Sequence, residues 1–481
     1  MKLIYKLKII VYTIGVFSAL VGCKKFVQIS APTTQLVTAN VFNNNTSATS
    51  AQTVIYSQMY SNEESFLMAL NAGMLSDELK NYNNSVNFEQ YYTNAMTSTQ
   101  SPTAGPWVDA YNYIYQANAI LAAVQNNTAL SPAVVQQLTG ESMFVRAFWL
   151  FYLTNLYGDV PLVTSTDYTK NATIARTPRA QVYQQIVSDL KNAQQLLNAN
   201  YVDISDTTVT TERTRPTKWA AMALLARVYL YTGDYLDAIT QATAVINNSS
   251  LYKLCPSVST VFLANSTEAI WQLATPAPAS YNTFDGLYFI LIAAPGNSNS
   301  CCTISNKLLS AFENGDSRRL NWIDSFKTTT TPSLIYYYPY KYKIGASAPV
   351  TGSSANEYTM VLRLAEQYLI RAEAYAEQNN IGASIGDLNM IRVRAKLQDY
   401  AGSSDKDSVL KAILHERQVE LFAEWGHRWF DLIRTGSADS VMSGYAAIKG
   451  GAWSSDGHQE LFPIPQSERN VDAKLTQNSG Y

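Results

Sequence analysis

The sequence predicts a mostly α-helical protein in which tetratricopeptide-like helix pairs, an α–α superhelix, support a less regular part with short strands. Three observations predict this class. Helical periodicity dominates the chain after residue 46. The predicted helices follow one another in pairs. A segment rich in Pro, Ser, Asn and Gly at 274–303 interrupts them, and loops of that length are usually functional or disordered.

The composition narrows the range of functions. A length of 481 residues is typical of a protein with about three domains. A formal net charge of −2 argues against non-specific nucleic-acid binding, which depends on many Lys and Arg side chains. Charged residues make up only 15%, and the 32 Tyr outnumber the 16 Phe. The resulting surface of neutral polar groups suits neutral polar ligands better than phosphates or metals.

The first residues have the pattern of a bacterial export signal. Three lysines precede an apolar run at 9–20, which is too short to span a bilayer. Leu-Val-Gly-Cys at 20–23 resembles a lipobox, so we expect cleavage before Cys23 and lipidation of its thiol. This predicts a signal peptide at 1–22 and a lipidated tether at 23–45. The alternatives are an ordinary signal peptide and a short anchor helix.

Helical periodicity predicts nine helices. They cover 47–60, 107–125, 132–156, 179–198, 216–232, 234–248, 357–377, 382–396 and 406–434. Gly158, Gly233 and Gly402 are expected to end helices. Strand-like pieces occur at 268–273 and 334–344. No apolar run beyond the export signal approaches eighteen residues, so no other segment is predicted to cross a membrane.

The pairing of helices is clearest at 216–248. Ala226 on the first helix and Ala238 on the second stand twelve residues apart, as the small positions of a tetratricopeptide unit do. Small residues at these positions let the two helices approach closely. A second pair is predicted at 364–389, and a third at 141–198 with a long connection between its helices. Generic helical hairpins are the alternative.

No motif for catalysis or metal binding is complete. The chain has no P-loop, no G-x-G-x-x-G and no G-x-S-x-G. His415-Glu416 begins like a zinc-protease helix, but Val419 stands where the second His belongs. Glu424 and His427 form one E-x-x-H, whereas a di-iron bundle needs two such motifs. We therefore predict no catalytic residue, no metal site and no cofactor, although nothing in the sequence stops two acids from meeting as a glycosidase pair.

The most distinctive stretch of the sequence is 416–434. Charged residues fall four apart on one face of a continuous predicted helix: Glu416, Glu420, Glu424 and Arg428. An apolar stripe follows another face: Leu421, Trp425 and Trp429. Glu424 is expected to pair with Arg428, and Arg428 with Asp431. We interpret the stretch as a structural helix whose buried ion pairs fix its docking.

This stretch resembles the C-terminal signature of the SusD/RagB family of nutrient-binding lipoproteins. Other segments agree with the family pattern, in the same order along the chain. They are Cys23-Lys24-Lys25-Phe26, Ser76-Asp77-Glu78, Trp107 with Ala117-Asn118, Arg146-Ala147, 156–162, 215–218 with Ala220-Ala221, 362–366, 371–374, 462–465 and 475–481. The resemblance spans essentially the whole chain. The family pattern often has Pro where Ser479 stands.

The resemblance implies a mostly α fold of four tetratricopeptide-like helix pairs that support an irregular ligand-binding half. It implies one unit at 46–481, with helix pairs at about 107–250 and 357–434. The irregular ligand-binding insertions would then lie at about 78–106 and 251–356.

The resemblance also implies a place and a role for the protein. The protein would be lipid-anchored through Cys23 on the cell surface of an outer membrane and would act as the hinged lid of a SusC-like TonB-dependent transporter. The expected ligand is an oligosaccharide, and no catalysis is expected. The alternatives are a peptide receptor on the same fold, a surface enzyme that acts on glycans, and a structural adaptor.

Two segments have the chemistry of a glycan site, in which sugar C–H faces pack on aromatic rings and side-chain amides bond the hydroxyls. The first segment, 80–92, contains Tyr82, Asn83, Asn84, Tyr91 and Tyr92. The second lies in the insertion and contains Tyr281, Asn282, Phe284, Asp285 and Tyr288. Alternatively, these loop tyrosines pack under their own loops. Five tryptophans in periodic segments are expected in the core instead: Trp149, Trp219, Trp271, Trp425 and Trp429.

Three cysteines remain beyond Cys23: Cys255, Cys301 and Cys302. Export would place them in an oxidising compartment, where thiols tend to pair. A disulfide from Cys255 to Cys301 or Cys302 would stabilise the folded protein by roughly 4 kcal/mol, because it lowers the chain entropy of the unfolded state. A bond between Cys301 and Cys302 would be strained, because adjacent Cα atoms are only about 3.8 Å apart. We favour the Cys301–Cys302 bond and three reduced thiols equally, and we favour the long-range bond from Cys255 less than either.

Overall fold

The computed structural model describes residues 41–99, 104–276, 279–296, 300–345 and 355–481. The predicted signal peptide, the predicted lipidation site Cys23 and the tether up to residue 40 lie outside the described residues. Among the helices of the described ranges, none is both long enough and apolar enough to cross a membrane.

Helices dominate the fold, as predicted. In chain order they are α1 (Asn45–Ser61), α2 (Glu64–Leu75), α3 (Val86–Tyr92), α4 (Gly105–Val124), α5 (Pro132–Tyr157), α6 (Tyr168–Asn171), α7 (Arg179–Leu196), α8 (Lys218–Thr232), α9 (Tyr235–Ile246), α10 (Phe284–Phe289), α11 (Asn306–Ala311), α12 (Ser317–Asn321), α13 (Leu364–Glu377), α14 (Ile381–Arg394), α15 (Lys406–Leu421), α16 (His427–Arg434), α17 (Ala438–Tyr445) and α18 (Gln466–Val471). Short 3₁₀ turns cover Val258–Thr260, Ala446–Lys449 and His458–Glu460.

The long helices form a continuous stack. α4 packs on α5, α5 on α7, α7 on α8 and α8 on α9. α9 then packs on α13, α13 packs on α14, and both α13 and α14 contact α15. Packing of each helix on its neighbours is typical of tetratricopeptide-like arrays. In the clearest predicted pair, Ala226 of α8 and Ala238 of α9 are fully buried, so these small side chains lie where the two helices meet.

The core is centred on α5, which is almost entirely buried after its first two turns. The ring of Phe148 lies 5.3–5.6 Å from three tryptophan rings: those of Trp149, Trp271 and Trp425. Four of the five tryptophans predicted for the core are buried. The fifth, Trp219, is only half-buried, and its indole N–H donates to the Ala199 carbonyl at 2.9 Å. It covers the edge of the stack rather than filling the core.

Short strands form four two-stranded antiparallel sheets in the described ranges. The strands are β1 (Leu79–Asn81), β2 (Val160–Pro161), β3 (Arg176–Thr177), β4 (Ala269–Leu273), β5 (Cys302–Ile304), β6 (Ile323–Lys327), β7 (Ile335–Pro339) and β8 (Thr359–Arg363). β1 pairs with β5, β2 with β3, β4 with β8 and β6 with β7. β4 confirms the strand predicted at 268–273, and β7 lies within the one predicted at 334–344.

The helix predicted at 357–377 begins too early. Its first part is the strand β8, and helix α13 starts only at Leu364. Every residue of β8 is buried, and the strand pairs with the equally buried β4. A short apolar run in the interior does not reveal from its sequence whether it is helix or strand, which is why periodicity misassigned it.

The helix predicted at 406–434 is in fact two helices. α15 ends at Leu421 and α16 begins at His427. Between them, Ala423, Trp425 and Gly426 have φ values of 51°, 45° and 75°. These left-handed values are incompatible with a continuous right-handed helix. A Cβ atom at Gly426 would lie 2.8 Å from the Ala72 Cβ, so α2 approaches this break closely.

The break changes the partners of the charged residues in this stretch. Glu424 pairs with Arg363, whose Nε lies 2.8 Å from Glu424 Oε2. Arg428 forms a bidentate pair with Asp77, at 2.7 and 2.9 Å. The two pairs predicted for Arg428, with Glu424 and with Asp431, are therefore wrong. The prediction that buried ion pairs fix this stretch in place is confirmed.

Candidate functional site

A groove of about 720 Å³ opens where β1, α3, α11, β7 and α17 meet. We name it the tyrosine groove. Its lining residues are Lys80, Tyr82, Tyr92, Thr303, Ile304, Ser305, Asn306, Lys307, Leu309, Ser310, Ile335, Tyr336, Tyr337, Ser440, Val441, Gly444, Tyr445 and Ile448. Aromatic rings, hydroxyl groups and an amide thus surround one concave space, which is the usual character of a small-molecule site.

The pairing of β1 with β5 forms one side of the groove. Lys80 stands opposite Thr303 in this sheet. The Tyr82 N–H extends the pairing by donating to the Cys301 carbonyl at 2.8 Å. Because side chains two residues apart along an extended chain share a face, Lys80 and Tyr82 both face the groove.

Tyrosine rings from separate parts of the chain meet in the groove. Tyr82 packs edge to face on Tyr336 of β7, with ring centroids 5.6 Å apart and planes at 87°. Next to Tyr336, Tyr337 stacks with the Arg319 guanidinium, whose Cζ lies 4.8 Å from the ring centroid. The rings are half-buried, so part of each is free to contact a ligand.

Tyr92 and Tyr445 supply two more rings. Burial, with smaller contributions from the neighbouring phenols of Tyr445 and Tyr82, raises the pKa of Tyr92 to about 12. Burial likewise raises the pKa of Tyr445. Both hydroxyls are therefore neutral at physiological pH and can donate and accept hydrogen bonds.

The first predicted segment contributes only part of its residues to the groove. Tyr82 and Tyr92 line it, whereas Tyr91 points away, is 3% exposed and packs against the Phe462 ring at 5.9 Å. The Asn83 side-chain oxygen accepts the Ser85 N–H at 2.8 Å, which shapes the turn before α3.

Tyr91 instead lines a separate cavity of about 260 Å³ together with Asn87, Phe88 and other residues. The alternation of Tyr91 and Tyr92 between two cavities follows from the helix α3, where consecutive side chains point in different directions. Asn84 is exposed and lines neither cavity.

The second predicted segment forms an aromatic cluster elsewhere. Phe284 lies between Tyr281 and Tyr288, with ring centroids 4.8 and 5.9 Å away. Tyr288 also packs on Phe66 of α2 at 4.8 Å, and its hydroxyl donates to Glu63 at 3.2 Å. None of these residues is among those that line the tyrosine groove. Tyr281 and Tyr288 remain partly exposed, but Phe284 is buried.

Of the polar residues in the second segment, Asn282 has structural partners, whereas the buried Asp285 Oδ2 accepts no hydrogen bond within the described part of the chain. The Asn282 side-chain oxygen accepts the Asn356 N–H at 2.8 Å and the Glu357 N–H at 3.2 Å, and Asn282 is buried. Asp285 is buried as well, and burial raises its pKa to about 7. Asn282 therefore fixes two loops to each other, and its geometry gives it a packing role.

Four residues important to the groove were not predicted: Lys80, Lys307, Tyr336 and Tyr445. The signal for Tyr336 was available, because Ile-Tyr-Tyr-Tyr-Pro at 335–339 presents three adjacent aromatic residues on a predicted strand. What the sequence lacked was any indication that this strand lies beside β5.

All three described cysteines are buried free thiols in the structure. The Cys255 sulfur lies 3.5 Å from the Thr267 hydroxyl. Cys302 is the first residue of β5, and Cys301 precedes it. A hydrogen bond between the two thiols, together with burial, raises the pKa of Cys302 well above its ordinary value. Of the three alternatives, the structure therefore contains the one with three reduced thiols.

Within the described ranges, one group of side chains has the geometry to hold a metal ion: Glu313, His415 and Glu416. Arginines already bind both carboxylates. Arg392 pairs with Glu313 at 2.6 Å, and Arg318 pairs with Glu416 at 2.6 Å. The His415 Nε2 contacts the Ala311 carbonyl at 2.8 Å. A cation would have to displace these partners, so the group is an ion-pair cluster.

Comparison with known families finds two matches along the chain. Residues 325–481 match a model described as the SusD family. Residues 25–230 match a model described as starch-binding associating with outer membrane. The two matches include β7, α17, Lys80, Tyr82 and Tyr92, and so much of the tyrosine groove.

Individual proteins show the same similarity. The chain is 26% identical to SusD-like protein P2 of Formosa agariphila over 419 residues, which cover 78% of this chain and 80% of that protein. A SusD superfamily protein from Bacteroides vulgatus has a TM-score of 0.76 at 22% identity, with 92% and 100% of the two chains covered. A structure described as a laminarin binding SusD-like protein has a TM-score of 0.70 at 24% identity, with 91% and 100% covered.

Proposed function

The chain belongs to the SusD family of outer-membrane-associated glycan-binding proteins, and on that premise we propose that it captures an oligosaccharide at the cell surface in the tyrosine groove. It passes the oligosaccharide to a SusC-like TonB-dependent transporter, for which it acts as a lid. The observation that carries this proposal is the convergence of Tyr82, Tyr92, Tyr336 and Tyr445 on one concave space.

The chemistry of the groove suits a sugar. Tyrosine faces pack against the C–H faces of sugar rings, and the groove offers five rings from three separate parts of the chain. Exposed amide and hydroxyl groups beside them, those of Asn306 and Ser440, can bond sugar hydroxyls.

The groove also supports binding without turnover. Glycoside hydrolysis normally needs two carboxyl groups on either side of the scissile bond. Among the described residues that line the groove, no Asp or Glu occurs. SusD family proteins are binding proteins, and the groove of this chain has the composition expected of one.

The anchor and the domain boundaries are part of the proposal. The Leu-Val-Gly-Cys sequence at 20–23 supports removal of residues 1–22 and lipidation of Cys23. Residues 23–45 would then tether a single unit at 46–481. A lipid anchor would keep the groove close to a transporter in the same membrane.

Binding and turnover can be tested in one experiment. Isothermal titration of the purified protein with oligosaccharides from several plant and algal glycans measures affinity, and chromatography of the same samples after long incubation detects cleavage. We expect saturable binding with every oligosaccharide recovered intact. Cleavage would contradict a pure binding role, and binding of peptides but of no glycan would favour a peptide receptor on the same fold.

The partner needs its own test. Affinity purification of a tagged protein from native outer membranes should recover a TonB-dependent transporter, and Cys23→Ala should abolish that recovery by removing the anchor. Recovery of the transporter with equal yield from the Cys23→Ala variant would contradict the anchoring part of the proposal.

A further inference from the structure

The charge of the tyrosine groove differs from that of the whole chain. Lys80 and Lys307 line the groove and are exposed, and no acidic side chain lines it among the residues that the structure describes. The whole chain contains 37 acidic and 35 basic residues. The groove is therefore a positively charged site on a slightly acidic protein.

The groove lysines are free to bind a ligand. In the described part of the chain, neither Lys80 nor Lys307 has a carboxylate within ion-pair distance. The Lys80 Nζ lies 4.8 Å from the centroid of the Tyr82 ring, so the ammonium stands directly beside an aromatic surface. Arg319 adds a third cation behind the Tyr337 ring, at 4.8 Å from its centroid.

The acidic residues around the groove are engaged elsewhere. Asp77 is held by Arg428 at 2.7 Å, and Asp439 accepts the Trp453 indole N–H at 2.6 Å. Glu89 of α3 lies 3.3 Å from the side-chain amide of Asn81. Arg428 neutralises Asp77, whereas Asp439 and Glu89 are bonded to neutral groups and keep their charge. None of the three lines the groove, so the charged groups closest to a ligand inside it are the lysines.

This inference rests on the proposed function of the groove. We infer that its ligand is an anionic oligosaccharide, whose sugars carry carboxylate or sulfate groups. A sugar ring that packs on Tyr82 would place an acidic substituent next to the Lys80 ammonium. Exposed charges are screened beyond about 8 Å at physiological ionic strength, so the net charge of the protein has little influence on a ligand inside the groove.

The inference refines the expectation from composition. A low overall content of charged residues favoured neutral polar ligands, because the average surface carries little charge. The structure shows that the few charges near the groove are segregated, with cations lining it and acidic residues outside its lining. Composition cannot report such segregation.

The test compares probes that differ only in charge. Hexagalacturonate and its fully methyl-esterified form present the same sugar backbone with and without carboxylates. Sulfated neocarrahexaose and the same oligosaccharide after chemical desulfation do the same for sulfate. We expect calorimetry to detect an acidic probe bound at least about tenfold more tightly than its neutral counterpart, and the preferred pair identifies the acid group. Raising the salt from about 0.1 to about 1 M, which shortens the Debye length from about 10 to about 3 Å, should weaken binding of the acidic probe.

Substitution of the two groove lysines tests whether the preference for the acidic probe arises in the tyrosine groove. Lys80→Gln and Lys307→Gln should each lower the affinity for the acidic probe about 2- to 5-fold, the range for exposed ion pairs. Lys218→Gln is the matched control, because the Lys218 Nζ also lies over an aromatic ring, that of Trp219 at 4.4 Å, but outside the groove. It should leave the affinity unchanged.

The outcomes separate this inference from the proposed function. Equal binding of neutral and acidic probes, or binding that neither lysine substitution changes, would overturn the inference of an anionic ligand. If Tyr82→Ala still weakened binding about tenfold or more, the proposed glycan site would stand. Failure of every acidic saccharide to bind would also overturn the inference. Binding of hexaglutamate but of no saccharide would overturn both the inference and the proposed function.

Discussion

Tyr82 and Tyr336 meet edge to face in the tyrosine groove, with ring centroids 5.6 Å apart. Tyr82 follows β1, and Tyr336 lies on β7, and the strand β5 contacts both β1 and β7. An aromatic pair of this kind is worth roughly 0.5–1.5 kcal/mol beyond its buried area. Each ring therefore holds the other in position to receive a ligand.

Removal of either ring should weaken glycan binding. We expect Tyr82→Ala and Tyr336→Ala each to reduce affinity about tenfold or more, which corresponds to about 1.4 kcal/mol, because the sugar loses an aromatic surface and the remaining ring loses its support. Titration calorimetry measures the change. Tyr168→Ala is the control, since Tyr168 is 79% exposed and lies outside the groove. Unchanged affinity in both groove variants would show that the glycan site lies outside the tyrosine groove.

The break between α15 and α16 should depend on Gly426. Its φ of 75° and the 2.8 Å approach of the Ala72 Cβ leave no room for a side chain. We expect Gly426→Ala to lower the free energy of unfolding by about 2–4 kcal/mol. Gly386→Ala, in the middle of α14 with open space around it, should instead be neutral or raise it by about 0.4–1 kcal/mol. Urea unfolding distinguishes the two, and equal effects would contradict this account of the break.

The sequence predicted helices well where their ends carry a clear signal. α5 and α8 are largely buried, yet they were placed within about two residues of their observed ends, because long apolar segments end at Gly158 and Gly233. α2 was missed because it is buried on nearly all sides, begins without a side-chain cap and ends at Ser76 without a glycine. The break after Leu421 was missed although Gly426 lies in it, because a single glycine inside a helical pattern does not by itself end a helix.

Only the part of the site whose residues lie close together in the sequence was predicted. Tyr82 and Tyr92 were predicted because they follow one another closely in an aromatic, amide-rich segment. The pairing with Tyr336 and Tyr445 depends on how distant segments pack, which a single sequence does not encode in any readable pattern. Asn282 was predicted from its residue type, although the structure shows its amide bonded to backbone N–H groups.

Glu420 should be essential for stability. Its buried carboxylate pairs with Arg318 at 2.9 Å and also with Arg363 and Arg394. Burial alone would raise the pKa of Glu420, but the three arginines hold it well below its ordinary value. We expect Glu420→Gln to lower the free energy of unfolding by about 3–5 kcal/mol, because three buried guanidinium groups each lose one of their counter-charges and the cluster then carries an excess of buried positive charge.

A matched control exists on the surface. Glu377 pairs with Lys406 at 2.6 Å, but both side chains are partly exposed. Glu377→Gln should therefore change the free energy of unfolding by no more than about 1 kcal/mol. If the Glu420 and Glu377 variants unfolded at the same urea concentration as the unmodified protein, the buried network would not contribute as described.

The thiol content should reflect the free cysteines in the structure. We expect titration of the lipidated protein, unfolded without reductant, to give three thiols: Cys255, Cys301 and Cys302. In the folded protein the same thiols should react slowly, because all three are buried. A count of one thiol after unfolding would show a disulfide, and peptide mapping would then identify the bonded pair.

A crystal structure of the protein with a bound oligosaccharide tests the central claim most directly. The account predicts sugar rings within about 4 Å of the Tyr82 and Tyr336 rings, inside the tyrosine groove and beside Lys80. An oligosaccharide bound instead on the exposed parts of Tyr281 and Tyr288, with the tyrosine groove empty, would contradict it.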